Sequence, residues 1–145
     1  MYRRIVVPVD GSAASETAVP YALALAQAFD AEVIVCHVVT TPAGPKSSDT
    51  PRDAAQYASK VAAQFLEGGV AAKTQVERGD PAPQIRKTAV DWGADAIVMA
   101  TRSRRRVEKL MLGSVADEVV RDCRLPVLLV SSRSRRKPAR GLRAA

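Results

Sequence analysis

Cysteine, histidine and long apolar runs are all scarce in this chain of 145 residues, and each shortage closes off a class of protein. Two cysteines, Cys36 and Cys123, cannot build a disulfide framework, and neither stands at metal-ligand spacing from the other or from the single histidine, His37. Both are read as buried thiols that behave as small hydrophobes. His37 lies inside an apolar strand pattern and is read as a packed side chain rather than a base or ligand. With one histidine no Ser/His/Asp set can be assembled, and no lysine-bearing Walker loop is present, so no catalytic residue is assigned. No apolar run approaches the ~20 residues that span a bilayer. The basic-then-apolar start, Met1 to Val7, breaks at Pro8 and Asp10, too soon for a secretory signal. A cytoplasmic protein without membrane association is expected.

Acidic residues are missing altogether from position 131 onward, where Arg133, Arg135, Arg136, Lys137, Arg140 and Arg143 supply six cations. Six of the seven net positive charges therefore belong to a tail, and the body is close to neutral. A hydrophobic content of 47% with 26% charged residues is globular. The reading is one domain over 1–131 followed by a basic, disordered tail over 132–145. Six cations would neutralise phosphates with strong salt dependence. Against nucleic-acid binding, the tail offers no aromatic residue for stacking and no recognition helix.

What is present is an alternation of apolar runs and helical patterns. Strands are expected at 5–9, 32–39, 73–77, 96–100 and 126–130, the third being short, alternating and therefore an edge. Helices are expected at 12–30, from 51 to Gly68-Gly69, from Pro81 to Trp92-Gly93, and at 113–122. Asp80 is read as an N-cap with Pro81 in the first helical position, where its missing N–H costs nothing. Trp92 is read as helix-end packing. The Pro/Gly/Ser stretch over 40–50 is read as the most mobile loop of the body. Nearly continuous apolar strands separated by helices require a parallel sheet covered on both faces. Right-handed crossovers put the strand C-termini along one edge, and ligands bind there where the winding reverses.

Residues 96–115 mark that edge most clearly. An apolar strand runs into a loop crowded with Arg102, Arg104, Arg105 and Arg106, and Gly113-Ser114 then opens a helix. Exposed N–H groups and the dipole at such a helix start favour an anion. The arginines offer charge-assisted forks for phosphate, or else form a solvated basic loop.

Val7-Pro8-Val9-Asp10-Gly11-Ser12, His37-Val38-Val39, Gly79-Asp80-Pro81, Ala94 to Met99, Leu112 to Ala116, and Cys123 to Val130 together resemble the universal stress protein family, in that family's order over about residues 3–131. The resemblance implies a three-layer α/β fold, flavodoxin-like or adenine nucleotide alpha hydrolase-like, with five parallel strands in the order 3-2-1-4-5. It also implies a homodimer joined through the fifth strand, 126–130, and an apolar edge strand invites such pairing.

Nucleotide-binding members share a Gly-x2-Gly-x9-Gly-Ser/Thr pattern, where this chain has Ala100, Ser103, Gly113 and Ser114. Gly113 lets backbone approach a phosphate, and Ser114 either donates to it or simply caps the helix. Ala100 adds a Cβ where the family keeps clearance, and Ser103 is poorly suited to positive φ. Such strain costs about 1 to 3 kcal/mol, or about ten- to hundredfold in affinity. The resemblance also places Pro8, Val9, Asp10 and Val39 around base and ribose, with Met99 nearby, and includes Val115 in the site. Asp10 would accept hydrogen bonds from ribose or adenine, or else cap the first helix, and Val9, Val39 and Met99 would otherwise be core. The expected site is Pro8, Val9, Asp10, Val39, Met99, Ala100, Arg102, Ser103, Gly113, Ser114 and Val115. Its ligand would be an adenine nucleotide (ATP, ADP, AMP or a cyclic form), with or without magnesium, held weakly in a non-catalytic stress-response module. The alternatives are a dimeric interaction protein of the same fold with an empty site, acting on an unknown protein partner, and nucleic-acid binding by the tail.

Overall fold

A computed structural model describes residues 1–40, 50–101 and 113–132. The expected loop over 40–50, Arg102 and Ser103 with their arginine neighbours, and the basic tail lie largely or wholly outside the described residues. Five parallel strands form one sheet in the order β3-β2-β1-β4-β5, with β1 Arg4–Val9, β2 Glu32–Val39, β3 Ala72–Arg78, β4 Ala96–Thr101 and β5 Val127–Ser131. The helices are α1 Ala13–Glu16, α2 Val19–Phe29, α3 Pro51–Glu67, α4 Pro81–Asp91 and α5 Ser114–Asp122.

Alternate strand residues feed opposite faces of the sheet, and both faces are dry. Ile5, Val7, Val33 and Val35 pack with Ala22 and Ala26 of α2 and Val61 and Phe65 of α3. Val6, Ile34, Ile97 and Met99 pack with Ile85 and Ala89 of α4 and Val119 of α5. The three layers leave the strand C-termini, and every expected site residue among those described, along one edge.

The single helix expected over 12–30 is two. Pro20 has no N–H to donate to the Glu16 carbonyl, and its ring crowds the preceding turn, so α1 ends after one turn and α2 begins at Val19. Thr17 closes α1 by donating its hydroxyl to the Ala14 carbonyl at 2.7 Å. At the far end Asp30 takes the left-handed conformation (φ 54°) and stops α2. The start of α3 is fixed by a reciprocal cap in which Thr50 and Asp53 each bond the other's backbone N–H. Asp80 does occupy the N-cap position of α4, but its side chain makes no capping hydrogen bond.

Among the described residues no helix is long and apolar enough to cross a membrane.

Candidate functional site

The chain leaves β1 through a braced turn. Gly11 takes φ 91°, a conformation open to glycine at little cost, and so reverses the chain directly after Asp10. One Asp10 carboxylate oxygen accepts from the Ser12 N–H at 2.8 Å and from the Ser12 hydroxyl at 2.5 Å. Ser12 is the N-cap of α1, its hydroxyl accepting from the Ser15 N–H at 3.1 Å. The Asp10 N–H donates in turn to the Ser15 hydroxyl at 3.2 Å. Asp10 itself is exposed at the strand terminus, so it braces the cap residue instead of being the cap.

Two side chains hold this turn from below. His37 on β2 is 6% exposed, and its Nδ1 lies 3.0 Å from the Val9 carbonyl. That oxygen only accepts, so Nδ1 carries the proton, and His37 is the packed histidine expected. Tyr57 of α3 meets the His37 ring edge-on at 4.7 Å between centroids. The Tyr57 hydroxyl is sealed from solvent without a well-formed hydrogen bond, close to Ser15 and the Gly11 backbone. Burial first, and then the Glu16 carboxylate, hold its phenol above the ordinary tyrosine range. Tyr57 was absent from the expected site. On α3 it sits beside the stripe Ala54, Ala58, Val61, Ala62 and Phe65, and nothing in that pattern distinguishes it from core.

Val9, Val39 and Met99 are at most 6% exposed. Val9 belongs to the core against α2 and α3, and Met99 to the core against α4 and α5. The Val39 carbonyl accepts from the Gly79 N–H at 3.1 Å, tying the end of β2 to the turn before α4. All three sit at the right edge, with little side-chain surface offered to solvent. Ala100 is half-buried against the α2–α3 face.

Across the edge, α5 starts without a side-chain cap. Gly113 holds the N-cap position (φ −54°, ψ 152°), and Ser114 is the first helical residue. Of the two alternatives for Ser114, capping is therefore excluded: its hydroxyl stands one position too late to accept from the first-turn N–H groups. Ser114 is exposed, and Val115 is half-buried against Ala116 and Val119.

Between these two halves the β1–β4 register is short. β1 and β4 pair only at Ile5↔Ala96 and Val6↔Ile97, although both strands continue to Val9 and Thr101. Pro8 is buried within that stretch. Pro8, Val9, Asp10, Val39, Met99, Ala100, Gly113, Ser114 and Val115 are thus brought to one edge, and Arg102 and Ser103 lie outside the described residues.

The remaining special side chains stand apart. Cys36 is buried against Thr88 at 3.4 Å, and burial pushes its thiol up to about 11; Cys123 is half-buried. Trp92 closes α4 as expected, donating to the Gln75 side chain at 3.3 Å beneath the Lys73 ammonium. Among the described residues no group of three or more His, Cys, Asp or Glu could hold a metal ion, so magnesium finds no support there.

Residues 1–131 match the Universal stress protein family. A universal stress protein of Methanocaldococcus jannaschii is 36% identical over 140 residues, covering 90% of this chain and 82% of that protein. The structure of a universal stress protein from Archaeoglobus fulgidus superposes with a TM-score of 0.74 at 26% identity, over 89% of this chain and 98% of that one. A universal stress protein solved in complex with cAMP gives a TM-score of 0.67 at 25% identity, over 90% and 98% of the two chains. Family match and strand order agree, and the chain belongs to the universal stress protein family.

Proposed function

We propose that this protein is a non-catalytic, cytoplasmic stress-response module that binds an adenine nucleotide at the C-terminal edge of its sheet. The observation that carries the reading is the pairing, across the unzipped ends of β1 and β4, of a braced carboxylate on one side and an uncapped helix start on the other. Asp10 would accept from ribose or adenine, and the first-turn N–H groups of α5 at Gly113-Ser114 would meet phosphate. Pro8, Val9, Val39 and Met99 would form the base and ribose wall, with Ala100, Arg102, Ser103 and Val115 at the phosphate end. The relative solved with cAMP supports an adenine ligand of this kind. Affinity is modest on this reading, because Ala100 and Ser103 stand where binding members carry glycine. Titration calorimetry with ATP, ADP, AMP and cAMP tests it: binding with Kd below the millimolar range is expected for at least one, and no heat from any at millimolar concentration removes the nucleotide.

A second reading has its own observation. Val9, Val39 and Met99 show almost no open side-chain surface, and Asp10 is already engaged by Ser12. A homodimer with an empty crevice, acting on a protein partner through its surface, accommodates both facts. In either case the subunits would join through β5.

A further inference from the structure

We propose that Pro8 holds the crevice open: by lacking an N–H it ends the β1–β4 ladder early and keeps apart the two strands between which the ligand enters. The inference rests on the nucleotide reading for its ligand, and on the sheet alone for its mechanism.

The direction in which each β1 residue bonds is fixed at the start of the strand. The Arg3 carbonyl accepts from the Glu32 N–H at 2.8 Å, at the start of β2. The Arg4 carbonyl accepts from the Asp95 N–H at 2.8 Å, at the start of β4. Backbone groups alternate sides along a strand, so Ile5, Val7 and Val9 bond toward β2 while Val6 and position 8 bond toward β4. The β1–β2 ladder passes Pro8 undisturbed, through Pro8↔Cys36 to Val9↔His37. The β1–β4 ladder does not. It stops at Val6↔Ile97, and the next rung would have run from the N–H of position 8 to the Val98 carbonyl.

Neither strand has ended at that point. β4 continues to Thr101 and stays paired with β5 as far as Thr101↔Ser131. The register therefore stops where the donor is missing. Proline within a central strand runs against the usual confinement of proline to edges and bulges. Here it stands at the switch point, beside Asp10, where α/β sheets take their ligands. A residue with an N–H would zip the strands one rung further, and a nucleotide would have to break that rung to enter.

Pro8→Ala and Pro8→Val test this in the full-length protein. The expected results are a through-hydrogen-bond NMR coupling between the residue 8 nitrogen and the Val98 carbonyl carbon, a thermal midpoint no lower than wild type, and a three- to tenfold loss of AMP and ATP affinity by calorimetry. Loss of a merely structural proline would lower the midpoint instead. An α-hydroxy analogue of valine at position 8, which has the valine side chain but no N–H, should bind AMP and ATP more tightly than Pro8→Val, separating the missing donor from contact with the ring; equal affinity in these two would overturn the proposal. Absence of the coupling in both variants overturns the proposal, as does affinity unchanged within twofold once the rung has formed. If wild type binds no adenine nucleotide, the functional reading fails separately, and the coupling still decides whether Pro8 holds the strands apart.

Discussion

Tyr57 carries a polar atom that the fold has removed from water without giving it a full hydrogen bond. A buried hydroxyl in that position has lost its hydration and gained little in return, so Tyr57→Phe is expected to be neutral or to stabilise by about 0.5 to 1 kcal/mol in chemical denaturation. A clear destabilisation would mean that the hydroxyl bonds Ser15 or Gly11 in solution. Asp95 has the opposite character, since its carboxylate accepts from the Arg3 and Arg4 N–H groups at 2.8 and 3.0 Å and ties the start of β1 to the start of β4. Those two backbone bonds hold its carboxyl below the ordinary aspartate value. A depressed folded pKa stabilises fully above the ordinary carboxylate range and is lost as pH falls through the folded value. Asp95→Asn should therefore cost about 1 kcal/mol at pH 7, discounted for a carboxylate near solvent, and should flatten the fall in stability below about pH 4. Equal acid slopes for the two proteins would contradict this. At this scale Asp10, Gly113 and the packed His37 were legible from their positions in strand and turn patterns. The alternative that Ser114 caps the helix could not be decided from the sequence, because a one-residue shift in a helix start leaves no trace in periodicity. Tyr57 was illegible because its partners lie 20 to 46 positions away in sequence, on other elements.

β1, β2, β4 and β5 were readable as elements from their unbroken apolar runs, and β3 from its short alternation of polar and apolar residues. The split of α1 from α2 was not. An alanine-rich stretch keeps its helical signal on both sides of Pro20, and the break depends on one missing donor. The two sheet edges differ in a way the sequence does state. β3 carries Lys73, Glu77 and Arg78 along a polar edge, with Lys73 paired to Glu32 at 3.1 Å. Charges of that kind discourage another strand from adding. β5, Val-Leu-Leu-Val-Ser, has neither charge nor proline within it, and Leu128 is 45% exposed. If β5 joins two subunits, Leu128→Lys should shift sedimentation from dimer to monomer at micromolar concentration while leaving the far-ultraviolet circular dichroism unchanged. Leu128 is already half in solvent, so the subunit itself should survive the change. A wild type that sediments as a monomer, or a variant that remains a dimer, would move the interface elsewhere.

Over the whole molecule, the candidate site is assembled from segments that adjoin only because the sheet winds outward in both directions from β1. Positions 8–10, 39, 99–100 and 113–115 come from three strands and one helix, and no local pattern joins them; topology does. That is why the meeting of these segments at one edge could be read from strand order, while the binding of a ligand there could not. On the nucleotide reading, occupancy turns on the Cβ of Ala100 and on having serine instead of glycine at position 103, single-residue differences that leave composition and periodicity unchanged. Because the pieces are spread across the fold, a ligand that binds only the folded chain should stabilise all of it together. Ligand at a hundredfold excess over Kd adds about 2.7 kcal/mol, or several degrees in thermal midpoint for a domain of this size. Ala100→Gly with Ser103→Gly removes one Cβ and admits positive φ at the other position, so at a fixed millimolar ATP concentration the doubly substituted protein should show a larger shift than wild type. Its midpoint without ligand should be equal or slightly lower, since glycine raises the entropy of the unfolded chain. Equal shifts in the two proteins would show that the missing glycines do not limit binding. A shift in neither would favour the dimer with an empty crevice, and would leave the Asp10 turn and the uncapped start of α5 as features of the fold alone.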